Sequence, residues 1–321
     1  MPLLIATLAV ALNAGSALAN TYEQTSDVVG GTAAPAHKWP DAVAVLGTKG
    51  SCTGTLIAPD VVLTAGHCAG ADLTRVVADT TDYNAAGGKS ATIKSVTAYP
   101  NWATTYDIAV VVLNAPITGV NPRPIGTSCS FDSFHANMDV HLVGFGATDA
   151  AGATANTVLR EASAPVVDAD CMGSEGCTAA VAPGGEFVAG GNGKDSCFGD
   201  SGGPVYLDTP RGTIVIAAVS RGVDGAATAC GGGGIYVRTD KVMHWIEQTT
   251  GRTIAKDSCY TGADDGGSGA PGSTDTDTGS GSDREQGSAP AGGGCSSTGT
   301  GSASLGFGVL LVGIAALRRR R

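Results

Sequence analysis

The hydrophobic pattern between residues 28 and 256 consists of short apolar runs separated by glycine, proline, asparagine and aspartate. The runs are rich in valine, isoleucine, alanine and threonine, a composition that favours strands. Helical periodicity is confined to residues 239–250, where Val242, Trp245 and Ile246 share one face and Gly251 ends the pattern. The strands predicted by this pattern cover residues 42–46, 61–64, 92–98, 108–113, 140–143, 214–219 and 235–238.

This pattern predicts an all-β domain of roughly 230 residues with one C-terminal helix. Two closed antiparallel barrels fit such a domain, because closure removes exposed sheet edges. From the pattern alone, a single large sandwich remains an alternative.

The N-terminal end departs from this pattern. Residues 3–12 are apolar, and Ala17-Leu18-Ala19 matches the small-residue pattern of a cleavage site. Residues 1–19 are therefore predicted to be a secretory signal peptide, the alternative being a buried strand or helix. We expect an exported protein.

The C-terminal end departs from it as well. Residues 260–294 are rich in glycine, serine and aspartate and cannot bury enough apolar surface to fold, which predicts a disordered linker. Residues 295–321 hold Cys295, an apolar run over 305–317 and four terminal arginines. The run is short for a bilayer span, but the arginines would keep its end in the cytoplasm, so we expect a membrane or cell-surface tail.

Charge and cysteine usage narrow the functional classes. The net charge of −10 argues against a nucleic-acid partner. Eight of the nine cysteines fall between Cys52 and Cys259, an even number that can pair internally in an oxidising compartment. Cys295 stands alone. His37, His135, His141 and His244 lack metal-ligand spacing, so we assign them structural roles and expect no metal site.

Three short motifs supply the residue types of nucleophilic catalysis. Residues 199–204 read Gly-Asp-Ser-Gly-Gly-Pro, His67 lies in Thr-Ala-Gly-His-Cys, and Asp107 lies in Tyr-Asp-Ile-Ala-Val. A serine hydroxyl needs a base to take its proton, and the base needs a partner that fixes its tautomer. We therefore predict Ser201 as nucleophile, His67 as base and Asp107 as its orienting carboxylate. The N–H groups of Gly199 and Ser201 are the candidate oxyanion hole.

These motifs, in this order, resemble those of the trypsin-like serine proteases, and the resemblance runs from residue 28 to about 251. It implies a protease domain over 28–259 with two antiparallel six-stranded β-barrels, about 28–138 and 139–251. It further implies a monomeric, exported serine endopeptidase that acts on protein or peptide substrates without a cofactor. A catalytically inactive binding protein of the same fold, or a surface structural protein with vestigial catalytic residues, is the alternative.

The resemblance also implies how the enzyme is activated. Val28 would be the mature N-terminus after removal of a short propeptide, residues 20–27, and its new amine would pair with Asp200. A buried carboxylate without a partner is costly, so this ion pair would gate formation of the oxyanion hole. Asp27 stands where such zymogens usually have Arg or Lys, so either another activating protease cuts here or the mature end lies elsewhere.

Specificity follows from the same resemblance. Asp195 occupies the position at the base of the substrate pocket, which implies cleavage after Arg or Lys. Ser220, Gly222 and Gly234 match the small residues that line such a pocket. Arg221 stands where the family usually has tryptophan, so the apolar platform for the next substrate residues is expected to be lost.

Two disulfides, Cys52–Cys68 and Cys197–Cys230, match family bridges. Cys171 resembles the start of a third, but its usual partner position within residues 187–190 holds no cysteine, so Cys177 is the expected partner. Cys129 and Cys259 remain as the fourth pair. The C-terminal end resembles a myxobacterial-type sorting tail, in which Cys295 would be a processing or lipid-attachment site, the alternative being a plain membrane anchor.

Overall fold

The computed structural model of the chain describes residues 28–261. The predicted signal peptide, the propeptide, nearly all of the linker 260–294 and the tail with Cys295 lie outside the described residues. Within 28–261 no helix is long and apolar enough to cross a membrane.

The described chain forms thirteen strands, four short 3₁₀ segments and one α-helix. The strands are β1 Thr32–Ala33, β2 Ala42–Gly47, β3 Ser51–Ala58, β4 Val61–Thr64, β5 Leu73–Ala78, β6 Lys89–Ala98, β7 Ala109–Leu113, β8 Asp139–Gly144, β9 Arg160–Asp168, β10 Glu186–Ala189, β11 Pro204–Thr209, β12 Gly212–Gly222 and β13 Gly234–Arg238. The 3₁₀ segments are Gly66–Ala71, Trp102–Thr104, Ser128–Phe131 and Thr239–Lys241, and the helix α1 is Met243–Thr250.

The strands close into two barrels. The first has the order β2-β3-β4-β7-β6-β5 and closes because β2 pairs with both β3 and β5. The second runs β8-β9-β10-β13-β12-β11 and closes because β8 pairs with both β9 and β11. All of these pairs are antiparallel, so the predicted fold class is confirmed. Each barrel encloses its own apolar core.

β1 lies outside both barrels. Its two residues pair with Glu161 and Arg160 of β9, which attaches the segment that starts at Val28 to the second barrel. The described part of the chain therefore starts on the second barrel before it enters the first.

All seven predicted strands overlap observed ones, and β1, β3, β5, β9, β10 and β11 were not predicted. Several of these strands contain residues that usually indicate a break. Gly54 lies within β3, where a Cβ would stand 2.7 Å from Val62 Cγ1 and 2.8 Å from Val45 Cγ2. Pro204 opens β11, a position where the missing N–H is tolerated. Local composition therefore understated the strand content.

The predicted helix over 239–250 divides in two. Residues Thr239–Lys241 form a 3₁₀ turn, and α1 follows from Met243. Gly251 ends α1 in the left-handed conformation, at φ 64°, and its N–H donates to the Glu247 carbonyl (2.9 Å).

Candidate active site

His67 and Asp107 are brought together by the pairing of β4 with β7. Thr64 at the end of β4 lies opposite Ala109 at the start of β7, so the residues just beyond these positions converge. His67 Nδ1 lies 2.8 Å from Asp107 Oδ2, and the backbone N–H of His67 donates to Oδ1 (2.9 Å). The carboxylate thus holds both the ring and the backbone of the histidine.

The surroundings of Asp107 favour its ionised form. Burial would raise its pKa, but hydrogen bonding and charge from His67, together with a 2.7 Å bond from the Ser220 hydroxyl, lower the pKa overall. An ionised carboxylate can only accept hydrogen bonds, so Nδ1 of His67 carries the hydrogen. Nε2 is then left as the acceptor, the arrangement that a general base requires.

Ser201 comes from the second barrel but rests against the first. The Thr53 N–H of β3 donates to the Ser201 carbonyl (3.0 Å). A Cβ on Gly202 would stand 2.1 Å from Thr64 Oγ1 and 2.4 Å from the Ala65 nitrogen, so the serine turn packs directly on the end of β4. His67 follows two residues later, which brings the nucleophile segment and the base segment to one junction.

The turn that contains Gly199 is fixed from the first barrel. Gly199 has φ 100°, a conformation that a side chain rarely adopts, and its carbonyl accepts the Thr53 hydroxyl (2.8 Å). The Thr53 side chain and backbone therefore hold both ends of the segment whose N–H groups are the candidate oxyanion hole. Sequence reasoning did not identify Thr53, because a threonine in a strand carries no functional signal.

Asp200 is enclosed in a cage of backbone groups. Its carboxylate accepts N–H bonds from Gly146 (2.7 Å) and Cys197 (2.8 Å), and a Cβ on Gly144 or Gly146 would collide with its oxygens. These donors are neutral, and burial raises its pKa to about 7, with a further contribution from the negative charge of Asp195.

Val28 and Val29 lie beside the segment that carries Asp195 and Asp200. Val28 is buried in the core of the second barrel. Val29 packs with Ala147 and the Cys197–Cys230 bridge, and its carbonyl accepts the N–H of Asp195 (3.1 Å). The chain thus places the predicted mature N-terminus near the buried carboxylates.

The structure also gathers the predicted pocket residues. Asp195 is buried, accepts N–H bonds from Gly231 and Gly233 (3.1 Å each), and has its pKa raised to about 6 by burial. Gly222 and Gly234 face each other across β12 and β13, and a Cβ on Gly234 would stand 2.9 Å from Asp195 Oδ1. Ser220, in contrast, directs its hydroxyl to Asp107.

Four disulfides are present in the described chain: Cys52–Cys68, Cys129–Cys259, Cys171–Cys177 and Cys197–Cys230. They join the pairs expected from the sequence. Cys68 follows His67, and Cys52 precedes Thr53, so the first bridge ties the base to the strand that holds Ser201.

A cleft of 460 Å³ adjoins Asp107. Trp102 and Thr104 line one part of it, and Thr178 and Arg221 another. Its lining comes from segments far apart in the chain, so no sequence motif marks it.

Among the described residues, two groups of three bring potential metal-ligand atoms within 4.8 Å of one another: Cys52, His67 and Cys68, and Cys171, Cys177 and Glu186. In each group the two cysteines are bonded to each other, so they offer no thiolate to a metal.

Comparison with known proteins agrees with this geometry. Residues 28–246 match the Trypsin family. Trypsin 5G1 of Aedes aegypti is 30% identical over 244 residues, covering 72% of this chain and 88% of that protein. Chymotrypsin-like elastase family member 1 of Canis lupus familiaris is 30% identical over 207 residues, covering 60% of this chain and 80% of that protein.

Proposed function

Since this chain belongs to the trypsin family and is a serine-type endopeptidase, we propose that Ser201 attacks peptide bonds that follow Arg or Lys. The hydrogen-bonded pair of His67 and Asp107 beside the serine turn is the observation that carries the catalytic assignment. The specificity rests on Asp195.

In the proposed reaction, the Ser201 hydroxyl attacks the carbonyl carbon while its proton passes to His67 Nε2. The N–H groups of Gly199 and Ser201 stabilise the resulting oxyanion. The protonated imidazole gives its proton to the leaving amine, which breaks the peptide bond and leaves an acyl-enzyme. Water, activated by the same imidazole, then releases the acid and restores the serine. Asp107 stays ionised throughout and stabilises the imidazolium.

Asp195 supports cleavage after basic residues. A buried carboxylate with neutral donors gains most from a cationic side chain, and guanidinium can bind it through two parallel hydrogen bonds. Family membership alone leaves this choice open, since the relatives named above are a trypsin and an elastase. Gly234 supports the same assignment, because a Cβ there would stand 2.9 Å from Asp195 Oδ1 and crowd the carboxylate.

Activation is proposed to follow cleavage before Val28 by another protease. Asp200 is buried with only backbone donors, and a new amine at Val28 would give it a cationic partner. The burial of Val28 supports this path, because its side chain already occupies the second barrel's core.

Export and attachment complete the proposal. Four disulfides suit an oxidising compartment, and residues 1–19 would direct the chain there. The enzyme would then act on protein or peptide substrates as a monomer at the cell surface, held by the tail that contains Cys295.

The test uses an organophosphonate that labels activated serines. We expect the mature protein to be labelled and Ser201→Ala to be unlabelled, with kcat lower by about 10⁶ because the nucleophile is lost. Asp107→Asn should lower kcat by roughly 10⁴ through the wrong imidazole tautomer. A mature, folded protein that takes no label would instead be the inactive binding protein.

The specificity and activation proposals have their own readouts. Arg and Lys esters should be hydrolysed faster than Phe or Ala esters, and the reverse order would refute the role of Asp195. N-terminal sequencing of the active protein should give Val28, whereas full activity from a chain that starts at Asn20 would contradict the activation step.

A further inference from the structure

Arg221 lies on β12 next to Ser220 and makes an unusually complete set of hydrogen bonds. Its Nη1 donates to Glu186 Oε1 (2.8 Å) and to Ser220 Oγ (2.9 Å). Its Nη2 donates to the Gly176 carbonyl (2.7 Å), to Thr178 Oγ1 (2.8 Å) and to Glu186 Oε2 (3.0 Å), and Nε donates to Gly176 (3.1 Å). These six contacts occupy all five N–H groups of the guanidinium.

Arg221 is therefore not available to bind an acidic substrate side chain, although it lines the cleft beside Asp107. Its partner Glu186 is buried, with a side chain 1% exposed. The Thr178 N–H also donates to Glu186 (2.8 Å), so the ion pair ties β10 and β12 to the loop closed by Cys171–Cys177.

Arg221 determines the direction in which the Ser220 hydroxyl points its hydrogen. A hydroxyl carries one hydrogen and can accept others. Arg221 can only donate to Ser220 Oγ, and the ionised Asp107 can only accept from it. The single hydrogen of Ser220 must therefore point at Asp107, along the 2.7 Å contact.

We propose that Arg221 is a positioning residue that acts through Ser220 to fix Asp107, and through Asp107 to orient His67. The inference rests on the proposed function of the site. It assigns the residue that replaces the expected tryptophan a place in a continuous chain of contacts, Glu186–Arg221–Ser220–Asp107–His67.

Other charged groups near this series of contacts already have partners. The pKa of Tyr106, beside Asp107, is raised by burial and is also influenced by the charges of Arg238, Asp240 and Glu186. Arg238 and Asp240 form their own bond at 2.9 Å. Loss of the Arg221 cation would therefore leave the Glu186 carboxylate without its cationic partner. The lost positive charge and the uncompensated negative charge both favour protonation of the imidazole.

The experiment is a double-mutant cycle of Arg221→Met and Ser220→Ala on the mature enzyme. Arg221→Met alone should lower kcat about tenfold, the usual scale for one hydrogen bond to a charged group. Its acidic limb in the pH profile of kcat/KM should move to higher pH. In the Ser220→Ala background the same substitution should change kcat by less than about twofold, because the residue that transmits the effect is gone.

Arg211 provides a matched control. It makes a two-point contact with Asp257, whose side chain is also 1% exposed, at the opposite end of β12 and roughly 30 Å away along the strand. Arg211→Met breaks an equivalent ion pair and should lower stability while leaving kcat and the pH profile unchanged. If Arg221→Met does not fold, Arg221→Met/Glu186→Leu removes both charges and should show the same loss of kcat.

The outcomes separate the two proposals. Organophosphonate labelling that is present in the parent enzyme and absent in Ser201→Ala supports the proposed function. With that label in place, an unchanged kcat in Arg221→Met, or an equal loss in both Ser220 backgrounds, overturns the role of Arg221 alone. A parent enzyme without label overturns both.

Discussion

Three buried aspartates in the site differ in pKa because they have different donors. Asp107 receives hydrogen bonds from His67 and Ser220, and the interaction with His67 is also electrostatic. The pKa of Asp107 is therefore lowered despite burial. Asp195 and Asp200 receive bonds from neutral groups only, so burial dominates and their pKa values rise to about 6 and about 7. The partner set, rather than burial itself, decides the protonation state.

The raised pKa of Asp195 predicts pH-dependent specificity. The carboxylate is charged above a pH of about 6, and in the proposed function only this charged form would bind a basic side chain. We expect the ratio of kcat/KM for an Arg ester to that for a Phe ester to fall as pH drops through about 6. The ratio cancels the ionisation of the catalytic base, since both substrates need it.

Asp195→Asn is the control for this effect. The amide keeps the shape of the side chain but does not titrate, so the ratio should be lower and independent of pH. A ratio that stays constant with pH in the parent enzyme would show that Asp195 does not contact the substrate cation.

At the scale of elements, the disulfides differ in the length of chain that they close. Cys52–Cys68 closes 16 residues, and Cys171–Cys177 closes 6. Because a longer loop loses more entropy in the unfolded chain, the first bridge contributes about 3 kcal/mol and the second about 2 kcal/mol.

We expect the double substitution Cys52→Ala/Cys68→Ala to lower the free energy of unfolding by about 3 kcal/mol. Denaturant unfolding of the mature protein measures this. Cys171→Ala/Cys177→Ala should cost less, and a larger loss there would mean that the bridge mainly restrains the folded loop that contacts Arg221.

At the scale of the whole molecule, the barrels meet where Gly202 packs on Thr64 and Ala65. Gly202 has φ 79°, and a Cβ would stand 2.1 Å from Thr64 Oγ1. Gly225 has a similar φ of 74°, but nothing lies within 4 Å of the position of its Cβ. A side chain would therefore be strained to a similar degree at both glycines, but only at Gly202 would its Cβ also collide with neighbouring atoms.

Gly202→Ala is expected to lower the free energy of unfolding by more than about 3 kcal/mol, through backbone strain and the clash with β4 together. Gly225→Ala should cost about 1 kcal/mol, from strain alone. Thermal or denaturant unfolding compares the two. Equal losses would show that the barrels separate enough to accept the methyl group.

Cleavage before Val28 should also change how stability depends on pH. In the uncleaved chain Asp200 has a folded pKa of about 7 against an ordinary value of 3.8. The folded state then binds more protons, so the stabilising contribution is complete below pH 3.8 and is lost as pH rises through about 7. An amine partner would lower the folded pKa and remove this loss.

Unfolding measured from pH 4 to pH 8 on an uncleaved Ser201→Ala protein and on the cleaved form tests this. We expect the uncleaved form to lose stability over that range and the cleaved form to lose less. Asp200→Asn should abolish the difference, and identical curves for the two forms would contradict the ion pair with Val28.

The sequence by itself determined the fold class, the paired cysteines and the identity of the candidate nucleophile, base and orienting carboxylate. Strand composition indicated the all-β class, and the family resemblance carried by the short motifs implied the two barrels and the cysteine pairs. The catalytic, pocket and activation roles remain predictions that the proposed experiments test.

Only the tertiary structure decided that β3 continues through Gly54 and that β11 begins at Pro204. It also decided where the barrels touch and what Arg221 contacts. Each of these depends on groups distant in the chain, such as Glu186, Gly176 and Ser220 around one guanidinium. The same holds for the pKa values of Asp107, Asp195 and Asp200. Burial and donor sets are properties of three-dimensional neighbours, which no local pattern of residues records.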